Sequence, residues 1–440
     1  MSSDGNGIAK IDNYTVFVPD TVVGDVAKIQ ILKTKTGYGY AKVKEVLISS
    51  EERIEPFCKT SKLCGGCSFC HVKYPAQLDY KKEFVQDAIT RIGGFKNFEV
   101  SEIIGMDEPE RYRNKMVFPF GKDKSGRVQY GFFRERSHDV IPVDDCLLGD
   151  EINIKILDVV KKHMEKYNIP AYDEVMHSGE VRRVFIRKSY HHDEIMVVIS
   201  SNNRKIKEFE VLIENLKALD RRIVSIILNV NTKKNNLVLG NENITLYGKS
   251  TISDMLCGFK YEISPHSFFQ VNPVQTEKLY KTAIDFANIS KEDVVLDVYC
   301  GIGTISLYAA KYAKKVIGVE IVPQAIENAK KNAEVNGVKN ADFYASDAAD
   351  AVPELIENGL RPDVVILDPP RKGSDEETLS AIASAKPERI VYVSCNPSTL
   401  ARDMKFLAKI GYNPDKAVAV DMFPHTSHVE CCVLLCQKNN

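Results

Sequence analysis

Apolar and polar positions fall into three patterns along the chain. From about residue 290 onward, short apolar runs alternate with segments whose apolar side chains recur at helical spacing. Strands over 294–298, 316–321, 341–345, 364–367 and 389–393 precede helices over 302–313, 324–336, 348–357, 376–385 and 398–409. Strands over 417–422 and 429–436 follow with no good helix between them. This alternation predicts an α/β class with a doubly wound, mostly parallel sheet, ended by a hairpin. Residues 8–48 read differently. Four runs rich in β-branched and aromatic residues, 8–11, 14–18, 26–32 and 40–47, are punctuated by Pro19-Asp20, Gly24-Asp25 and Gly37. They predict a small β-barrel. A helix is expected over 77–92, stopped by Gly93-Gly94. From about 100 to 260 strands (184–186, 195–199, 224–229, 237–239) mix with helices (154–166, 206–219).

Composition adds bounds. With 440 residues, 44% hydrophobic and 27% charged, the chain is an ordinary globular mixture of two to four domains. No apolar run is long enough to span a bilayer, and residues 1–10 lack a secretory pattern, so a cytoplasmic location and no membrane partner are expected. The net charge of -1 argues against a uniformly basic coat. Eleven cysteines in such a chain point to metal binding, catalysis or burial rather than disulfides.

In a doubly wound sheet, ligands bind at the carboxyl ends of the strands. Asp297 to Thr304 lies at the first such end, where Gly301 and Gly303 permit a tight turn and close approach of a ligand. Glu320 ends the second strand and is suited to accept hydrogen bonds from two ribose hydroxyls. Asp347 follows the third strand, within reach of an adenine edge, and Asp368-Pro369-Pro370-Arg371 follows the fourth. The layout resembles the S-adenosylmethionine-dependent methyltransferase fold. Cys395, in Ser394-Cys395-Asn396-Pro397, follows the fifth strand and precedes a helix, whose N-terminal N–H groups are expected to stabilise a thiolate. Uracil C5 needs such a nucleophile: addition of a thiolate at C6 makes C5 carbanionic, C5 takes the methyl group, and a base then removes the C5 proton. Glu430 is the best candidate for that base, with His425 and His428 as rivals.

With these motifs the chain resembles the RNA (uracil-5-)-methyltransferase family, especially its iron–sulfur ribosomal RNA members. The matches run through Phe269-Gln270-Val271-Asn272, Asp297 to Gly303, Asp368 to Arg371, Ser394 to Pro397 and Phe423 to Glu430. The resemblance implies a class I (Rossmann-like) methyltransferase domain, contacts from Gln270, Tyr299, Gly301, Gly303, Thr304, Glu320, Asp347 and Asp368 to S-adenosylmethionine, Cys395 as nucleophile and Glu430 as base. It also implies a TRAM-like, oligonucleotide-binding-type barrel over 1–50, expected to start late. A central RNA-binding α/β domain over 51–265 and the methyltransferase domain over 266–440 complete the expected organisation, with the helical part at 77–100 packed on the latter.

Cys58, Cys64, Cys67 and Cys70 lie within thirteen residues, with Gly65-Gly66 letting the backbone fold around a metal. Zinc and [4Fe–4S] are both physical readings. The resemblance implies [4Fe–4S] on Cys58, Cys64, Cys67 and the distant Cys146, with Cys70 as rival fourth ligand. A basic stretch, Arg111, Arg113, Lys115, Lys122, Lys124, Arg127, Arg134 and Arg136, is interleaved with Tyr112, Phe118, Phe120, Tyr130, Phe132 and Phe133. Cations serve phosphates and aromatics stack on unpaired bases, unless the stretch is a half-buried strand pair with a charged face. Arg182, Arg183, Arg187 and Lys188 form a second basic group. The expected substrate is a looped RNA whose uridine is flipped out. Ribosomal RNA is favoured and transfer RNA is the alternative, with the enzyme a monomer. An RNA cytosine-5 methyltransferase would carry Pro-Cys where Asp368-Pro369-Pro370-Arg371 stands. A non-enzymatic RNA-binding iron–sulfur protein would not need Cys395.

Overall fold

The computed structural model describes residues 1–135 and 137–438, so Arg136 lies outside the described residues. The chain divides into two compact units. The first comprises 1–57, 67–109 and 274–440; the second comprises 58–66 and 110–273. The chain thus leaves the first unit after residue 109 and re-enters it at 274.

The first unit begins with β1 (Gly7–Ile11), β2 (Tyr14–Val18), β3 (Val26–Lys35) and β4 (Tyr38–Ile48), in the order β1-β2-β4-β3. Val16, Val18 and Ala41 are the core of this small sheet. A helix over Tyr74–Asp87 continues as a π-helical turn over Ala88–Gly93 and stops at Gly94, whose φ of 85° suits glycine. Next comes the short strand β5 (Glu102–Ile104).

The second unit holds β6 (Lys115–Lys122), β7 (Val128–Phe133), β8 (Val140–Pro142), β9 (Val181–Lys188), β10 (Ile195–Ser201), β11 (Ile223–Val230) and β12 (Glu242–Gly248). They form one sheet, β12-β11-β10-β9-β6-β7-β8. Strand β10 is buried at every position. The Ile152–Tyr167 helix packs Ile156, Leu157, Val160 and Met164 into the same core. The strand expected at 237–239 is a loop. There the side chains of Asn229 and Asn231 replace a neighbouring strand: Asn231 Nδ2 donates to Leu237 O (2.9 Å), and Asn229 Oδ1 accepts from Gly240 N (2.7 Å). The hairpin β13 (Ile252–Leu256) and β14 (Phe259–Ile263) ends the unit's regular structure.

Back in the first unit, β15 (Val294–Val298), β16 (Lys315–Glu320), β17 (Ala341–Ala345), β18 (Val364–Leu367), β19 (Arg389–Ser394), β20 (Tyr412–Val420) and β21 (Glu430–Gln437) build the main sheet. Its order is β17-β16-β15-β18-β19-β21-β20-β5. The first five strands are parallel, while β21 runs antiparallel between β19 and β20. β15 and β18 are neighbours although two strands intervene in sequence, so strand order reverses there, at the place where sheets of this kind bind ligands beyond their carboxyl ends. Leu296, Val298, Ile317, Val365, Leu367, Ile390 and Tyr392 fill the core below it.

Candidate active site

The turn after β15 is built for close approach. Tyr299 adopts φ 68°, costly for a side-chain-bearing residue, and both Tyr299 N and Cys300 N donate to Val319 O (2.9 and 3.0 Å). Gly301 (φ 55°) and Gly303 (φ 82°) follow; a Cβ on Gly301 would meet only open space. Glu320, at the end of β16, accepts from Gly301 N (3.3 Å) and Val322 N (3.0 Å). Asp347 caps the next helix, accepting from Ala349 N (3.0 Å). Thr304 Oγ1 lies 3.0 Å from Tyr280 Oη.

Beneath the turn, Asp297 is fully buried; one carboxylate oxygen accepts from Ser306 Oγ and the other has no partner. Burial, together with Asp368 and Glu320, pushes Asp297 up to about 7. Asp368 is partly exposed as a residue, but its carboxyl is withdrawn from solvent, and that desolvation pushes it to about 7 as well. An orphaned buried carboxylate oxygen beside other acids, under an open glycine turn, fits a ligand carrying positive charge, as the S-adenosylmethionine sulfonium does.

Cys395 and Glu430 come together through strand pairing. Ser394 of β19 is opposite Cys431 of β21, which puts Cys395 and Glu430 at the same end of the pair. Glu430 is 4% exposed, and burial plus the Asp368 charge push it up to about 8. The Cys395 thiol is half-buried and pushed up to about 11 by desolvation, then by Glu430 and Asp368. The expected thiolate is therefore not the resting form, because burial, and after it the nearby acids, outweigh the backbone N–H at the turn. Arg371 pulls both groups the other way. Its carbonyl accepts from Asn396 Nδ2 (3.1 Å) and Thr399 Oγ1 (3.3 Å), which ties the Asp368–Arg371 loop to the cysteine turn. Arg371 stood in the sequence only as the end of a motif; its electrostatic role needed the fold.

His425 is held inside the fold. It is 5% exposed, held by Gln77 (Nε2 to Nδ1, 3.3 Å), and pushed down to about 4 by burial. His428 is exposed.

Gln270 belongs to the second unit, where its carbonyl accepts from Asn114 Nδ2 (2.9 Å). Cys58, Cys64 and Cys146 are also in that unit, all half-buried, and the Cys58 charge is felt at Cys146. Cys67 and Cys70 belong to the first unit, with Cys70 only 2% exposed. Among the described residues, no three His, Cys, Asp or Glu side chains form a group able to hold a metal ion.

Much of the basic stretch is structural. Tyr112, Phe118, Phe120 and Tyr130 are buried, leaving Phe132 and Phe133 partly accessible. Arg182, Arg183 and Arg187 do not offer a cationic surface. Arg182 donates to the carbonyls of Asn231, Lys233 and Asn235 and, like Arg183, to Glu174; Arg187 donates to the carbonyls of Ser264 and Ser267. Lys122, Lys124, Arg127 and Arg134 remain exposed.

No helix among the described residues is long and apolar enough to cross a membrane. Residues 73–438 match the family described as tRNA (Uracil-5-)-methyltransferase, and residues 1–44 match the TRAM domain. An "Uncharacterized RNA methyltransferase" of Clostridium tetani is 45% identical over 435 residues, covering 99% of this chain and 94% of that protein. Another, of Oceanobacillus iheyensis, is 43% identical over 439 residues, covering 100% and 95%. Among solved structures, the Pyrococcus abyssi tRNA (uracil-54, C5)-methyltransferase in complex with S-adenosyl-L-homocysteine is similar over 98% of this chain and 97% of its own, with a TM-score of 0.78 and 28% identity.

Proposed function

The chain belongs to the RNA uracil-5-methyltransferase family, whose members are S-adenosylmethionine-dependent enzymes, and from that premise we propose that it methylates C5 of a specific uridine through a covalent Cys395–C6 adduct. The observation that carries the reading is the electrostatic coupling of Cys395, Glu430, Asp368 and Arg371 at one end of β18, β19 and β21. S-adenosylmethionine, when bound, supplies an electrophilic methyl group. Gly301, Gly303, Glu320, Asp347, Asp368, Tyr299, Thr304 and Gln270 are the proposed binding residues.

The Cys395 proton passes to an ionised carboxylate of the acidic group and on to solvent. Sγ adds to C6, and the displaced electron pair gives C5 its nucleophilic character. C5 takes the methyl group. Glu430, ionised again, removes the C5 proton, and the returning electron pair expels the thiolate. A flipped-out uridine is required, because C6 is inaccessible in a stacked duplex.

We read the chain as three functional parts: an RNA-binding barrel over 1–50, a central domain over 51–265 and the catalytic domain over 266–440, acting as a cytoplasmic monomer. Cys58, Cys64, Cys67 and Cys146 are proposed as [4Fe–4S] ligands, with Cys70, 2% exposed, as the rival fourth ligand. The support is their spacing and the softness of four thiolates, and no catalytic step is assigned to the cluster. Large-subunit ribosomal RNA is the favoured substrate, supported by the barrel together with the cysteine set. The full-length similarity to the Pyrococcus abyssi enzyme favours transfer RNA as the second reading.

Labelled S-adenosylmethionine with RNA from cells lacking the gene tests the reaction. Tritium release from 5-[3H]-uridine RNA is expected to match methyl incorporation one for one; methylation without release would refute chemistry at C5. Mapping 5-methyluridine in ribosomal and transfer RNA from the same cells separates the two substrates.

A further inference from the structure

The loop between β20 and β21 leads directly into Glu430, and it is gripped from one side by one face of the Tyr74–Asp87 helix. Tyr74, Gln77 and Lys81 sit at positions i, i+3 and i+7, one stripe of a helix. Tyr74 Oη donates to Asp421 Oδ2 (2.8 Å), while Lys81 Nζ donates to Asp421 Oδ1 (2.5 Å) and to Phe423 O (3.0 Å). Both side chains of the Lys81–Asp421 pair have 0% exposure. Gln77 contacts His425 at two points: its Oε1 accepts from His425 N (3.0 Å), and its Nε2 lies 3.3 Å from Nδ1. Phe69 N, in the cysteine-rich loop, donates to His425 O (2.9 Å). His425 itself has φ 67°, a conformation that a side-chain-bearing residue holds only where its surroundings enforce it.

A fully buried ion pair is a poor way to gain stability. Desolvating two charges offsets most of their attraction, and an apolar pair of similar size often serves as well. Burial alone pulls the Lys81 ammonium below its ordinary range. What such a pair does supply is a fixed geometry, because any displacement of the loop leaves a charge in the interior without its partner. Gln77 and Lys81 spend their polar groups on the five-residue stretch Asp421–His425 or on the Phe69–Val72 turn beside it, while Tyr74 Oη also accepts from Met106 N (2.8 Å).

We propose that Tyr74, Gln77 and Lys81 are positioning residues for the Glu430 loop, setting the approach of its carboxyl to the C5 proton. The inference rests on the reading of Glu430 as the base. It predicts that loosening the grip slows release of the covalent adduct while leaving cofactor binding intact.

The test compares three variants on 5-[3H]-uridine RNA: Glu430→Gln, the charge-free pair Lys81→Met/Asp421→Asn, and Gln77→Met, which keeps the ion pair and removes the hold on His425. Covalent RNA–protein adduct, tritium release, KM for S-adenosylmethionine and hydrogen exchange of the 421–430 amides are measured for each. Expected for Gln77→Met and for the folded double variant are adduct accumulation, tritium release at least tenfold slower, faster amide exchange in 421–430, and a KM within twofold of wild type. Should the double variant fail to fold, Gln77→Met alone decides. If Glu430→Gln traps adduct but Gln77→Met releases tritium at the wild-type rate despite faster exchange, the positioning role is wrong and the base reading stands. If Glu430→Gln traps no adduct, the base reading falls and this inference with it.

Discussion

The three acids beneath and beside the glycine turn hold protons at neutral pH, so a cationic ligand is expected to displace them. Asp297 and Asp368 are pushed to about 7 and Glu430 to about 8. At pH 7 the two aspartates are then each about half protonated and Glu430 about nine-tenths, roughly two bound protons in all. A unit positive charge at about 7 Å, with an effective dielectric near 20, contributes about 2 kcal/mol, more than one pKa unit for each acid. The protonated fractions then fall by about one to two protons in total. The sulfonium of S-adenosylmethionine carries that charge, while the sulfur of S-adenosylhomocysteine does not. Titration calorimetry in buffers of low and high ionisation enthalpy reads the protons directly. Binding of S-adenosylmethionine at pH 7 should release about one to two protons and S-adenosylhomocysteine markedly fewer. Because the acids share protons, the count belongs to the group and not to any one residue. Equal release by the two ligands, or none by either, would refute the charge reasoning.

Cys395→Ala should abolish adduct formation and lower methylation at least a thousandfold, whereas Glu430→Gln should form adduct that denaturing gels retain. The ligand-free protein should lose thermal stability as pH rises from about 4 to 8. Native Asp297 stays protonated above the range where the unfolded chain has already ionised, so stability is greatest at the acid end of that window. Asp297→Asn should flatten the profile by up to about 4 kcal/mol, measured by denaturant unfolding at each pH. Arg187→Met should leave the salt dependence of RNA binding unchanged, because that guanidinium is 2% exposed and spent on the Ser264 and Ser267 carbonyls. Lys122→Ala and Lys124→Ala should each reduce the slope of log affinity against log salt by about one, measured by filter binding.

The parallel part of the main sheet was legible because its strands are short apolar runs, and the first four carry an acid or a glycine turn at or just past their ends. β15, β17 and β18 match the expected ranges, and the other strands of this sheet that were expected shift by a few residues. The pairing of Cys395 with Glu430 was legible for the same reason, since each flanks a strand. What sequence could not supply was the sign of the thiol shift, which depends first on burial and then on two acids, Glu430 and Asp368, contributed by separate segments. Nor did it distinguish solvated from buried cations: Arg182, Arg183 and Arg187 look like surface charge in a strand, yet the loops over 231–236 and 264–267 bring carbonyls to them. The three-residue β5 was invisible, having too few residues to show a period.

β5 also bears on how the chain acquires its structure during synthesis. Ser101 bonds to Ala417, 316 residues later, and Lys81 to Asp421, 340 residues later. At a ribosomal rate of about 5–20 residues per second, the Lys81 face of the Tyr74–Asp87 helix and β5 wait roughly 15–70 s for their partners, whereas Ala76, Tyr80 and Phe84 pack against Val22, Phe69 and Val72, which are made earlier. Meanwhile the second unit, whose sheet closes within 110–273, has its whole sequence available. The nascent protein thus carries a helix face with Lys81 still solvated and an unpaired strand edge until β20 and Asp421 emerge. In that interval it is open to proteases and chaperones, and Glu430, the proposed base, enters its place late in folding.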